Sequence, residues 1–137
     1  MNSKIRVLFL CTGNSARSQM AEALLRHADA QHFEVFSAGT DPKPINPLAL
    51  NALEHAGVAV NGLYSKSLSD LENHRFDVVI TLCDKAAQEC RHLPHSSEVL
   101  AWNFEDPATS SDPRAFEHTL QSIHERIKLF VLIKTKE

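Results

Sequence analysis

An apolar run, Ile5-Arg6-Val7-Leu8-Phe9-Leu10, leads straight into eight small or polar residues, Cys11-Thr12-Gly13-Asn14-Ser15-Ala16-Arg17-Ser18. The run has the length and β-branched content of a buried strand. Beyond the polar stretch, Met20, Ala21, Leu24, Leu25 and Ala28 recur on i, i+4 rows, which predicts a helix. The chain must therefore pass from strand to helix through a short loop with a thiol at its mouth and a guanidinium at its far end. Successive N–H groups in such a loop form a concave nest at a helix N-terminus, where the macrodipole also favours an anion. Gly13 and Asn14 tolerate the positive φ that tight curling requires.

Arg17 adds a planar fork suited to two oxygens of a tetrahedral oxyanion. The same field acts on Cys11, favouring its thiolate and making it a nucleophile. The residues from Thr12 to Ser18 are then the oxyanion-binding loop, with Asn14 and Ser15 holding its shape and the hydrogen bonds of Cys11. A bare Cys-x5-Arg spacing also arises by chance, with a buried thiol and a solvated arginine as the plainer reading. Its position between a strand and a helix, among Gly, Asn and two Ser, argues for a reaction site.

Downstream, His32 to Ser37 alternates like a short strand ending at Ala38-Gly39, and Asp41-Pro42-Lys43-Pro44-Ile45-Asn46-Pro47 is too rich in proline to be anything but a loop. A helix follows, with Ala49, Leu53 and Ala56 on one face and Gly57 as its stop. Ser67 to His74 suggests a short helix capped by Ser67 or Ser69. Phe76 to Leu82 is a second buried strand and runs directly into Cys83; Asp84 to Cys90 contains good helix formers, and Leu93-Pro94 ends them. Glu98 to Trp102 is a fourth strand. The last helix is expected to start with Asp112 as N-cap and Pro113 at its first position, carrying an apolar stripe of Phe116, Leu120, Ile123, Ile127 and Phe130.

Strands alternating with helices predict an α/β fold. The expected architecture is one domain over residues 1–137, a four-stranded parallel sheet with helices on both faces. Ligands in such sheets bind beyond the carboxyl ends of the strands. Cys11, Cys83 and Asp106 each follow a predicted strand, so they converge on one edge.

Length supports a single core, since 137 residues are too few for two domains. A charged fraction of 23% beside 43% hydrophobic residues excludes disordered and membrane classes. A net charge of −3 makes no electrostatic case for nucleic acid. No apolar stretch spans a bilayer and no signal-peptide pattern opens the chain. Three cysteines are too few for a secreted disulfide framework, so a reducing, cytoplasmic location and a monomer are expected.

Cys83 and Cys90 admit more than one reading. They could be inert core thiols, or part of a structural metal site with His92 and His95, although the spacings do not suit zinc. Asp106 could simply cap the turn before Pro107.

The stretch Leu10 to Glu22 resembles the phosphate loop of low-molecular-weight protein tyrosine phosphatases and of the arsenate reductases sharing their fold. The resemblance continues through Ser37-Ala38-Gly39, Thr81-Leu82-Cys83-Asp84 and Asp106-Pro107-Ala108, and covers roughly residues 4 to 135. Gln19-Met20-Ala21-Glu22 is similar to the reductase branch, because the phosphatases usually carry proline where Gln19 stands. Tyrosines that usually follow the Asp-Pro in the phosphatases are replaced here by Ala108-Thr109.

The resemblance implies an arsenate reductase with catalytic residues Cys11, Arg17, Cys83, Cys90 and Asp106. It implies Asp106 as general acid and Cys83 with Cys90 as the redox pair, six residues between them. A thioredoxin-type reductant, or glutathione/glutaredoxin, would supply electrons, with no bound cofactor and no metal. The alternatives are a phosphatase acting on phosphate monoesters, or a thiol redox or metal sensor without turnover. Family reductases that bind potassium near the loop use an Asp in the segment that here reads Tyr64-Ser65-Lys66-Ser67. The Lys66 ammonium is expected to replace that cation, interacting with groups such as Asn14 or Glu22. If Asp84 to Cys90 is helical when reduced, a rise of ~1.5 Å per residue puts the Cα atoms of Cys83 and Cys90 about 10 Å apart. A disulfide needs them within about 7 Å, so the segment is expected to unwind on oxidation.

Overall fold

The computed structural model describes residues 4–71, 73–83, 85–86 and 96–136. Four strands, β1 (Ile5–Cys11), β2 (Phe33–Gly39), β3 (Phe76–Thr81) and β4 (Ser96–Ala101), form one sheet in the order β2-β1-β3-β4. Every pairing is parallel, with Val7 opposite both Val35 and Val78. Three α-helices accompany them, α1 (Arg17–Asp29), α2 (Pro47–His55) and α3 (Ala115–Thr135). Among the described residues, no helix is long and apolar enough to cross a membrane.

All five β1 residues from Val7 to Cys11 are buried, although neighbours along a strand point to opposite faces. Both faces of the sheet are therefore covered, as a parallel sheet requires. On one face Phe9 meets Trp102 with ring centroids 6.1 Å apart, and Trp102 meets Phe130 of α3 at 5.7 Å. The stripe Phe116, Leu120, Ile123, Ile127 and Phe130 is buried throughout, as the spacing predicts.

Several boundaries differ from the expectation. Helix α3 begins at Ala115, because the Asp112 carboxylate accepts from the Arg114 N–H and caps a turn ahead of the helix. The segment after Ser67 is a 3₁₀ helix of four residues, Leu68–Leu71, too short to develop an α-helical ladder. Strand β4 starts earlier and ends one residue earlier than Glu98 to Trp102. Ala28 and Ala56, placed on apolar rows by spacing, are exposed at helix ends. The expected helix from Asp84 to Cys90, its unwinding, and Cys90, His92 and His95 lie outside the described residues, apart from Lys85 and Ala86.

Hydrogen bonds continue the sheet past its strand ends towards one edge. Leu82 N–H donates to Leu10 O (2.8 Å), Trp102 N–H to Thr81 O (2.8 Å) and Phe104 N–H to Leu82 O (3.2 Å). These bonds carry Cys83 and the chain leading to Asp106 to the edge where β1 ends at Cys11.

Candidate active site

Between Cys11 and Arg17 the chain curls tightly, and Asn14 takes a positive φ of 49°. Of the two residues that tolerate it, Gly13 does not take it up. A Cβ here would make ordinary contacts, 3.6 Å from Lys43 Cγ and 3.4 Å from Ser15 Oγ. The loop's carbonyls are turned outward. Thr12 O, Gly13 O and Ser15 O accept from the N–H groups of Asp41, Lys43 and Asn46 at 2.8–2.9 Å. With those carbonyls engaged outside, the loop's N–H groups are left to face the cavity, as an anion nest requires. Cys11, Arg17, Asp41, Lys43 and Asp106 line that cavity with the loop, and its volume of about 240 Å³ suits a small ion rather than a drug-sized ligand.

A buried chain of side-chain hydrogen bonds ends on the thiol. Lys66 N–H, an obligatory donor, bonds to Asn14 Oδ1 at 2.9 Å and so fixes which way the amide faces. Asn14 Nδ2 then donates to Ser18 Oγ (2.7 Å) and to Ser37 Oγ (3.0 Å). Ser37 Oγ passes its own proton to Glu22 Oε1 at 2.5 Å. Ser18 Oγ, which accepts from Asn14, shares its second hydrogen bond with Cys11 Sγ at 2.9 Å.

Arg17 Nη1 donates to Phe104 O (2.9 Å), and its Nη2 lies 3.8 Å from Asp106 Oδ2. The guanidinium is thus held at the cavity rim by the segment that carries Asp106. Asp106 also accepts from Ala108 N–H at 2.9 Å, so it caps the turn before Pro107 while lining the cavity. Cys83 is buried and unpaired, like Cys11. Its sulfur meets Thr12 Oγ1 at 3.6 Å and accepts from Ala86 N–H at 3.4 Å. The structure therefore brings Cys11, the residues from Thr12 to Ser18, Cys83 and Asp106 together. Among the described residues, no group of three or more His, Cys, Asp or Glu could hold a metal ion.

Residues 6–137 match the low molecular weight phosphotyrosine protein phosphatase family. The chain belongs to that family. An arsenate reductase from Halalkalibacterium halodurans is 35% identical over 135 residues, covering 95% of this chain and 96% of the relative. Among solved structures, an arsenate reductase in the phosphate binding state superposes with a TM-score of 0.84 at 26% identity, covering 94% of this chain and 98% of the other. A thioredoxin-dependent arsenate reductase from Corynebacterium glutamicum superposes with a TM-score of 0.79 at 32% identity, covering all of this chain and 66% of that one.

Two residues of the quoted motifs, Gly39 and Gln19, support this phosphatase-family loop in ways that the sequence does not show. Gly39, at the end of β2, has no room for a side chain: a Cβ would stand 2.6 Å from Thr12 O and 3.0 Å from Asn14 N. Both neighbours are backbone atoms of the loop, so Gly39→Ala is expected to displace it. The variant should lose about 1–3 kcal/mol of stability and most of its oxyanion affinity, read by thermal melting and phosphate titration. The second support is Gln19, fully buried, whose Nε2 reaches Asn14 O, Asn14 Oδ1 and Tyr64 O at 2.9–3.0 Å. A polar residue inside an otherwise apolar helix stripe is the signal that marks it.

Lys66 reaches Glu22, one of the groups expected of it. Its Nζ donates to Ser37 O and Tyr64 O, each at 3.0 Å, and stands 3.7 Å from Glu22 Oε1. Burial holds this lysine below its ordinary range, outweighing the pull of Glu22. Arg26 Nη2 closes the other side of the Glu22 carboxylate at 2.6 Å. With Glu22 compensated by two side-chain cations, turnover and melting temperature are expected to respond to potassium no more than to sodium at equal ionic strength. A potassium-specific rise in either would show that an inorganic cation is still required.

Proposed function

We propose that this protein is an arsenate reductase whose electrons pass through Cys11, Cys83 and Cys90. The observation that carries the reading is the second buried thiol: Cys83 Sγ sits against Thr12 of the anion loop. Hydrolysis of a phosphate ester has no use for a thiol there, whereas reduction needs one. The arsenate reductase relatives support the same reading.

In this mechanism the nest and Arg17 bind arsenate, and the Cys11 thiolate attacks arsenic(V). Asp106 protonates the departing hydroxide, which leaves as water. The Cys83 thiolate then attacks Cys11 sulfur; the S–As bond breaks, its electron pair stays on arsenic, and arsenite leaves as arsenic(III). A Cys11–Cys83 disulfide remains. Attack of the Cys90 thiolate on Cys83 sulfur frees Cys11 and produces Cys83–Cys90, which an external dithiol reduces. We assign that role to a thioredoxin-type partner, supported by the thioredoxin-dependent relative from Corynebacterium glutamicum. No bound cofactor is needed, and the relay suits the cytoplasm, where thiols are kept reduced.

Steady-state arsenate reduction with thioredoxin, and separately with glutathione and glutaredoxin, tests the reading beside hydrolysis of an aryl phosphate. Aryl-phosphate turnover with no arsenate reduction under either couple would make the protein a phosphatase. Asp106→Asn is expected to lower kcat for arsenate about 10²–10⁴-fold. The variant retains an oxygen able to accept from Ala108 N–H, so its fold should persist.

A further inference from the structure

Asp41 and Lys43 line the open side of the cavity, and the relay gives neither of them a task. Their segment is fixed to the anion loop through the main chain, Asp41 N–H to Thr12 O at 2.9 Å and Lys43 N–H to Gly13 O at 2.8 Å. Pro42 locks its own φ, and Pro44 restricts Lys43 to extended backbone. Lys43 is thus presented from a stiff, doubly anchored stretch. Its Cγ lies 3.6 Å from where a Cβ of Gly13 would stand, so the lysine stem crosses the loop over the glycine. The ammonium pairs with Asp41 at 3.3 Å, with both side chains about two-thirds exposed, 64% and 67%. An exposed pair of this kind is weak, and an anion can replace Asp41 as the partner of Lys43. No aromatic side chain lines the cavity among the described residues.

We propose that Lys43 selects free inorganic oxyanions over phosphate esters. A tetrahedral anion seated in the nest gives three oxygens to the loop and Arg17 and turns the fourth towards the mouth. In arsenate or phosphate that fourth oxygen is a hydroxyl or oxide, open to the ammonium. In an aryl ester it is the bridging oxygen, less basic and flanked by the ring. Lys43 therefore adds affinity for the first class alone. The inference rests on the oxyanion reading of the site, though not on reduction itself.

Calorimetric titration with inorganic phosphate tests it on the wild-type protein, on Lys43→Met, which keeps the stem, and on Lys43→Arg. KM and kcat for arsenate and for p-nitrophenyl phosphate are measured alongside. Lys43→Met is expected to weaken phosphate binding and raise the arsenate KM about five- to tenfold, with kcat and the aryl-phosphate KM within about twofold of wild type. Lys43→Arg should restore phosphate affinity. Equal weakening for phosphate and the aryl ester would reduce Lys43 to a general field, and unchanged phosphate affinity would make it a bystander; either overturns the proposal. A wild-type protein that binds phosphate in a Lys43-dependent way but reduces no arsenate would sink the reductase reading and leave this inference standing.

Discussion

Cys11→Ser is expected to abolish arsenate reduction and any aryl-phosphatase activity together, by roughly 10³-fold or more in kcat. A serine hydroxyl at neutral pH stays protonated, and the side chain that reaches this position among the described residues, Ser18 Oγ at 2.9 Å, offers no base to remove its proton. The change is nearly isosteric in a fully packed position, so the melting temperature should move little. Phosphate titration should still show binding, because the loop N–H groups and Arg17 are untouched. Substantial arsenate turnover by this variant would remove Cys11 from the mechanism.

Cys83→Ser should divide the two activities. Ester cleavage needs only Cys11, the nest and Asp106, and is expected to stay within about twofold of wild type. Reductive turnover should fall roughly 10³-fold or more, since no other described thiol lies against the loop to expel arsenic from Cys11. The serine hydroxyl can keep the contacts that Cys83 makes with Thr12 Oγ1 and Ala86 N–H, so local structure should survive. Mass spectrometry of the stalled variant should find arsenic retained on Cys11. Parallel loss of both activities, with a lowered melting temperature, would make Cys83 a packing residue.

What could be read from the chain and what could not divides along sequence separation. The loop from Cys11 to Ser18 is local: its strand, its polar curl and the following helix are contiguous, so spacing alone identifies a thiol beside an anion nest. Cys83 and Asp106 were also accessible, because a parallel sheet sends the residues after its strands to one edge. Of the two loop residues able to take a positive φ, Asn14 does so and Gly13 does not, a choice that residue type alone leaves open. The start of α3 was misplaced because Asp112 satisfies the Arg114 N–H in a turn before the helix, and helix boundaries shift by a residue or two on such local bonds.

Residue types and periodicity by themselves determined the parallel α/β fold, the edge that holds the candidate site and its candidate nucleophile, since each follows from strand and helix periods or from one contiguous loop. The settings of that nucleophile were decided only in three dimensions. Asn14 is oriented by the backbone of Lys66, 52 residues away, and that orientation turns its Nδ2 to Ser18, the partner of Cys11. Glu22 meets Ser37 and Lys66 across separate elements, Gly39 makes room for the loop at a point of backbone contact, and Lys43 is laid over Gly13 by main-chain bonds. None of these partners shares a period or a motif with the residue it serves. Hydrogen-bond direction and close approach depend on register between distant segments, and register is a property of the packed sheet.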